Sequence, residues 1–495
     1  MRYLGAGAAG AGGGELNPAR VGERIAAAEP VRLAREALGD RADAWVVGGA
    51  VRAAALEREV QDLDLALTAD EGDAARRLAR EAGGHAFQLS DEFGTWRVVD
   101  RERRELADLT RLRGESIESD LAARDFTVGA VAVPLAGGPP LDPHAGLADL
   151  EQGVLRAVSP RSFADDPLRL LRAARLGAEL GLQPDAETIE LGRAEAARAG
   201  EPAGERQFAE LRRLMTGPDP LRGLELMDDL RITGAVMPEL EATRGVVQTP
   251  NHHLDVHGHT LEVLRRLLEV EGDLERFAGE SAAGIRALLD EPLADGMSRG
   301  EALRFGALVH DFGKPQTRQE RGQFVTFIGH DREGTAVVAE MCRRLHSSRA
   351  LCRHLQALTL HHLRLGFMIH ERPLGRRRIY EYLRETQPVS ADVTLLTVAD
   401  RLSARGQGPV ASEEMVEAHL ELAREMLAAA LEWHCDGPPS PLVGGEQLVD
   451  ALGLQPGPEV GRLLGEIEAA QYAGEVGTPE EALRLARDLA RSAPR

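Results

Sequence analysis

Cysteine is scarce: Cys342, Cys352 and Cys435 are the three in 495 residues. None sits in a C-x-x-C pair. That supports neither a disulfide framework nor a cysteine zinc site, and a reducing, cytoplasmic setting is expected. Aromatics are also few, at 4%, which leaves Leu, Ala and Val to fill the cores. No apolar run approaches the roughly 20 residues of a membrane span, so no membrane partner is expected. The opening MRYLGAGAAGAGGGELNPA has one Arg and no leucine-rich stretch, a flexible lead-in rather than a signal peptide. Positive charge is in deficit too: 59 Lys and Arg stand against 80 Asp and Glu, a net charge of −21. Any contact with nucleic acid must therefore come from local basic patches.

What is present is helix-forming. Hydrophobic residues make up 43%, enough for real cores, and abundant Ala, Leu, Arg and Glu favour helices. At about 100–200 residues per domain, two to four domains are expected. Residues 1–25 read as a disordered tail. Over 26–160, strand-like runs at 45–47, 63–67, 96–99, 106–109 and 127–133 alternate with a helical run at 74–82. This predicts an α+β head. Over 161–250 the strand signal fades, with helices expected at 162–180, 186–199 and 205–215. A histidine-rich helical region covers 251–410, and the loop EWHCDGPPSPLVGGEQ introduces a last helical region within 411–495.

The stretch VVGGAVRAAALEREVQDLDLAL carries the first chemistry. Alternate residues of a strand share a face, so Asp62 and Asp64 are expected to point one way and Leu63, Leu65 and Leu67 into a core. Paired carboxylates repel unless a cation neutralises them, and all-oxygen ligation suits Mg²⁺. Gly48 and Gly49, between a strand and a helix, let the backbone approach a phosphate. Together these suggest nucleotidyl transfer, with the metal on the carboxylates and a triphosphate at the glycine turn. Taken alone, the D-x-D reads more readily as a surface strand with two solvated aspartates, and the glycine turn upstream argues against that.

Further motifs follow in order: ELADLTRLRG with Asp108, DLAARDFTVGAVAV with Arg124 and Asp125, and SFADDPLRLLRAARLGAELGL with Asp165, Asp166 and Arg169. The set resembles the class II tRNA nucleotidyltransferase and bacterial poly(A) polymerase family across about 40 to 240. That resemblance implies a polymerase-β-like head over 26–160 and a nucleotide-selecting, RNA-binding neck over 161–250. It implies catalytic metal ligands at Asp62 and Asp64, and Asp108 where a third acidic residue often lies. It implies a nucleotide-binding set of Gly48, Gly49, Arg52, Arg124, Asp125, Asp166, Arg169, Arg172 and Arg175. Three positions depart from the family pattern: Ala53 stands for an Asp, Ala123 for an Arg and Gly129 for an Asn. Each loses a polar contact around the nucleotide.

The DDPLR segment has its own logic. Asp165 or Asp166 can cap a helix and Pro167 fits its first turn. Asp166 and Arg169 are i, i+3 neighbours, one accepting hydrogen bonds and one donating them. Such a pair can read a base edge, and the family uses it to choose CTP or ATP without a template. A cap and a helix salt bridge is the plainer reading.

The histidine-rich region holds DVHGHTLEVL, ALVHDFGKP, FIGHDREG, LTLHHLRLGF and LLTVADRLSARG. The series resembles the HD phosphohydrolase superfamily. The resemblance implies a divalent metal on His259, His310, Asp311 and Asp400, and a second on His330 with His361 or His362. Mixed imidazole and carboxylate ligands suit Mn²⁺, Fe²⁺, Ni²⁺ or Zn²⁺ better than Mg²⁺. Basic patches are expected along Arg169, Arg172 and Arg175, and at Arg376–Arg378 beside Tyr380 and Tyr382.

The function expected from this pattern is template-independent addition of CMP and AMP to a tRNA 3′ end, with CTP, ATP and tRNA as partners. Alternatives are CC-only or A-only addition, poly(A) synthesis, or an HD phosphohydrolase with a degenerate nucleotidyltransferase head.

Overall fold

Proline-capped, amphipathic sequence opens the fold. The computed structural model describes residues 16–39, 41–90, 94–322 and 324–492. The chain divides into two compact units between Val236 and Met237. In the first, α1 (Pro18–Ala27) starts at Asn17, whose side chain accepts from the Ala19 amide, and buries Val21 and Ile25. Helix α2 (Glu29–Leu38) buries Val31, Ala34 and Leu38. The expected tail over 1–25 is thus corrected: residues 1–15 lie outside the described residues, but a capped helix occupies 18–27. Its apolar residues four apart give it a face to bury.

The sheet follows the predicted strands closely. It comprises β1 (Ala44–Val47), β2 (Leu63–Leu67), β3 (His85–Ser90), β4 (Thr95–Val99), β5 (Glu105–Arg111) and β6 (Ala132–Pro134). Their order is β3-β4-β5-β2-β1-β6. β2 and β5 run parallel, and the other neighbours are antiparallel. Between the strands come α3 (Gly49–Ala55), α4 (Glu71–Glu81) and α5 (Ile117–Ala122). Leu63, Leu65 and Leu67 are buried as their alternation predicts, each contributing about 1.5–3 kcal/mol. Helix α4 buries Ala74, Ala75, Leu78 and Ala79 and packs on β3, β4 and β5. Strand β3 escaped the sequence reading: it is an edge strand, and Phe87 and Leu89 are left exposed.

Two predicted elements break. The strand expected over 127–133 is a 3₁₀ turn, Thr127–Gly129, followed by the short β6. The Thr127 hydroxyl donates to Asp149 and the Gly129 amide bonds back to Phe126, so these groups are spent on a turn. The helix expected over 162–180 is two helices, Ser162–Asp165 and Leu168–Leu180. Asp166 between them is extended, with φ −146° and ψ 101°, because a residue before proline is driven out of the helical region.

The second unit is helical apart from short strand pairs. Its long helices include Val256–Gly272, Arg299–Val309, His330–Arg344, Arg349–His361, Ser390–Ser403 and Glu413–Asp436. The two compact units meet after Val236, inside the region that the sequence assigns to the neck. The 237–250 segment folds with the second unit, where Gln248 accepts from buried Lys314 at 2.7 Å. The last helices, Gly445–Leu452, Pro458–Tyr472 and Pro479–Ser492, enclose a small core of Leu448, Leu463, Ile467, Ala482 and Ala486. Among the described residues, no helix is long and apolar enough to cross a membrane.

Leu109 lies in β5 at the centre of the sheet and is fully buried. Leu109→Ala is expected to destabilise the chain by about 2–5 kcal/mol, read as a lower midpoint in thermal or urea unfolding.

Candidate active site and metal centre

Sheet register builds the first site. Val47 pairs with Asp64, Asp64 with Asp108, and Asp108 with Arg97, so one row crosses four strands. Directly paired residues share a face, which puts both carboxylates and the guanidinium side by side. Gly48 follows Val47 with φ +66°, and a Cβ there would stand 2.5 Å from Asp64 Oδ2. Only glycine allows the turn to close on that carboxylate. The Gly49 amide donates to Asp64 Oδ2 at 3.2 Å, rather than standing free for a phosphate. Burial pushes the Asp64 carboxyl up, against the pull of the Gly49 amide, and Asp108 adds to the rise.

Asp62 departs from its expected place. β2 begins at Leu63, so Asp62 lies in the bend before it and is exposed. It still lines the same cavity, of about 730 Å³, as Gly48, Gly49, Asp64, Asp108, Arg124 and Asp125. Asp62, Asp64 and Asp108 are not drawn as close as the histidine groups below. Arg97 explains part of this: it binds Asp108 through Nε and Nη2, both at 2.8 Å, and also pairs with Glu105. The all-oxygen donor set fits Mg²⁺.

The remaining nucleotide candidates are embedded in a network. Arg124 pairs with Asp120 and donates to the Gly129 carbonyl. Asp125 accepts from Arg172 Nε at 2.7 Å. Burial would raise that carboxyl, but Arg172 holds it well below the usual carboxylate range. Glu210, missed in the sequence, neutralises both Arg172 and buried Arg175. Arg52 faces Asp125, and burial lowers its pKa. A Cβ at Gly129 would lie 3.4 Å from both Arg52 Nη1 and Asp125 Oδ1.

The plainer reading, a helix salt bridge between Asp166 and Arg169, is not what forms. Asp166 accepts from Leu168 N and from Arg206 Nη2, the latter at 2.8 Å. Arg169 donates to the Ala123, Arg124 and Ser162 carbonyls. Both line a smaller cavity that also reaches Asp64 and Asp108. The expected basic patch at Arg376–Arg378 is likewise corrected: Arg377 binds Glu475, Arg378 binds Glu371, and Arg376 donates to the Tyr472 carbonyl. Tyr380 and Tyr382 are buried.

The second site lies wholly in the second unit. His259, His310 and Asp311 form one group able to hold an ion, and Asp311, His330 and His362 form another. Asp400 stands 3.1 Å from His259 Nε2. His361 stands outside both groups, and its Nδ1 accepts from Arg364 Nε at 2.8 Å. The imidazoles of His310, His330 and His362 turn Nδ1 to the carbonyls of Ala307, Phe327 and Thr359. That arrangement leaves each Nε2 for a metal. His330 Nε2 and His362 Nε2 then face each other at 3.2 Å, two acceptors that a shared cation reconciles. The Nε2 atoms of His259 and His310 are buried without a hydrogen-bond partner. These residues fit a divalent transition metal. Burial alone would lower His310, yet adjacent Asp311 raises it, while burial drives His362 down to about 3.

Comparison with known proteins places the chain in a family. Residues 44–156 match the Poly A polymerase head domain, 181–243 the Probable RNA and SrmB- binding site of polymerase A, and 256–405 the HD domain. The chain is 35% identical to the A-adding tRNA nucleotidyltransferase of Deinococcus radiodurans, over 91% of this chain and 96% of that one. It belongs to the tRNA nucleotidyltransferase and poly(A) polymerase family. A second family relative, the CC-adding tRNA nucleotidyltransferase of Thermus thermophilus, is 34% identical over 89% of this chain and 92% of that one. The fold matches a CCA-adding enzyme complexed with CTP at TM-score 0.60 and 20% identity, covering 94% of this chain and 95% of that one. It matches the Thermotoga maritima CCA-adding enzyme complexed with tRNA at TM-score 0.55 and 20% identity, over the same shares.

Within this family member, four contributors escaped the sequence reading: Arg97, Arg206, Glu210 and Lys314. Lys314 Nζ sits 2.6 Å from Asp311 Oδ2, and its place three residues after Asp311 was a usable signal. The other three act across distances in sequence that no local motif marks.

An imidazole binds a metal only when neutral, so protons compete with the ion for His259, His310, His330 and His362. Mn²⁺ or Ni²⁺ affinity at this centre is therefore expected to rise with pH through the range where imidazoles titrate. Competition titrations across pH 6 to 8 check this.

Proposed function

We propose that the chain adds CMP and AMP to the 3′ end of tRNA without a template, releasing pyrophosphate, in the cytoplasm. The observation that carries this is the row of Asp64 and Asp108 beside the Gly48–Gly49 turn, with Asp62 lining the same cavity. The relatives named A-adding and CC-adding tRNA nucleotidyltransferases align over nearly their whole length, which supports the substrate.

The chemistry is positioning and neutralisation. Asp62 and Asp64 would hold Mg²⁺, which supplies charge neutralisation for the triphosphate and for the attacking hydroxyl. The terminal ribose O3′ loses its proton to solvent and bonds to the α-phosphorus as the bond to the pyrophosphate oxygen breaks. Arg52, Arg124 and Arg172 line the same cavity as these carboxylates, with Asp125 fixing Arg172. Asp166 and Arg169 serve base choice in this reading, and Arg206 must then yield Asp166 to the base. The polar contacts absent at Ala53, Ala123 and Gly129 leave Arg52 and Arg124 to carry more of the nucleotide's charge.

A second reading, addition restricted to CC or to A, is favoured by one observation: relatives of both kinds are 34% and 35% identical. Transcripts ending before CCA, after C, and after CC, each incubated with labelled CTP or ATP, separate these outcomes. Asp64→Asn is expected to cut incorporation at least about 100-fold, the scale of losing one preorganised charge, with the circular dichroism spectrum unchanged. Incorporation near the wild-type rate in a folded variant would remove the metal assignment.

The second centre is proposed to hydrolyse phosphoesters such as 2′,3′-cyclic phosphates, with Mn²⁺, Fe²⁺, Ni²⁺ or Zn²⁺ on His259, His310, Asp311, Asp400, His330 and His362. Asp311 belongs to both ligand groups, so Asp311→Ala is expected to abolish hydrolysis while nucleotide addition persists. Parallel assays of both activities with Mg²⁺ and then Ni²⁺ measure this. Loss of addition in a folded Asp311→Ala protein would overturn the separation.

A further inference from the structure

The feature that nucleotide addition leaves unexplained is Arg97. It sits on β4 directly opposite Asp108 and reaches it with two parallel hydrogen bonds of 2.8 Å. Its third nitrogen pairs with Glu105. One guanidinium thus covers both oxygens of the third carboxylate in the row. Paired donors of this kind hold a carboxylate more firmly than a single charged contact. Both side chains are shielded, at 24% and 28% exposure. A divalent cation at these oxygens would have to compete with the guanidinium for their lone pairs and their charge. Asp64 Oδ2, by contrast, accepts from the neutral Gly49 amide.

We infer that Arg97 is a counter-ion that holds Asp108 in reserve, so that the head takes a divalent cation at Asp62 and Asp64 first and a second at Asp108 only once a nucleoside triphosphate draws Arg97 away. The inference rests on the nucleotidyl-transfer reading. Arg97, Gly48, Gly49 and Asp108 line one cavity, so the triphosphate of that reaction arrives where a guanidinium can exchange carboxylate for phosphate. Arg97 acts through Asp108 and is a positioning residue. No bond is made or broken in the exchange: a carboxylate passes from guanidinium to metal, and phosphate oxygens take its place. The arrangement couples completion of the metal site to arrival of substrate.

The test counts Mn²⁺ bound to the full-length protein by electron paramagnetic resonance. Wild type, Arg97→Met and Arg97→Lys are titrated without nucleotide, then with the non-reacting α,β-methylene analogues of CTP and ATP. The histidine centre is the same in all three and cancels. Without nucleotide, Arg97→Met is expected to bind one more Mn²⁺ than wild type, and Arg97→Lys the wild-type number. A saturating analogue is expected to close the gap. Equal numbers in wild type and Arg97→Met without nucleotide, or a gap that persists with both analogues, would overturn the inference. If Arg97→Met does not fold, the neutral Arg97→Gln is judged by the same counts. A wild-type protein that shows the gap yet incorporates no labelled CMP or AMP would remove the functional reading and leave the counter-ion role standing.

Discussion

Two carboxylates at one ladder position on neighbouring strands repel each other, and the head is organised around that repulsion. Directly paired residues on neighbouring strands carry their side chains side by side, and like charges so placed disfavour each other's ionised form. Asp64 and Asp108 are held in this way by the parallel pairing of β2 with β5. The surroundings answer the charge from three sides: the Gly49 amide on Asp64, Arg97 on Asp108, and the open cavity between. Gly48 is conformationally bound to the same place, because its backbone must pass the Asp64 oxygen without a side chain.

The second centre solves the opposite problem. Here imidazoles crowd one another, and backbone carbonyls at Ala307, Phe327 and Thr359 fix which nitrogen each presents. Asp311 lies at the hub, in reach of His259, His310, His330 and Lys314. Burial raises the cost of charge here, and the cluster is stable as a set because acid and bases are buried together.

Much of this was written in local pattern. Period-two alternation placed Leu63, Leu65 and Leu67 in the core and Asp64 opposite them, and the order of motifs marked both centres. What pattern could not supply was partnership across sequence. Arg97 meets Asp108 through a hairpin register, and Arg206 meets Asp166 from 40 residues away. His361 and His362 are adjacent and differ only in direction: the helix ends at His361, and the turn aims His362 at the cluster. The break at Asp166 was readable from Pro167, but helical spacing to Arg169 argued against it, and the steric rule prevailed.

The arginines of the neck helix share one trait: Arg169 is spent on carbonyls, and Arg172 and Arg175 on carboxylates. A polyanion meeting them does not displace a cloud of mobile salt ions from bare cations. It displaces a tethered carboxylate or carbonyl instead. Binding of that kind releases few counterions, so its dependence on ionic strength is shallower than the number of arginines would suggest. An acidic protein can in this way engage a phosphate backbone by swapping partners within itself, and remain little attracted to nucleic acid at large.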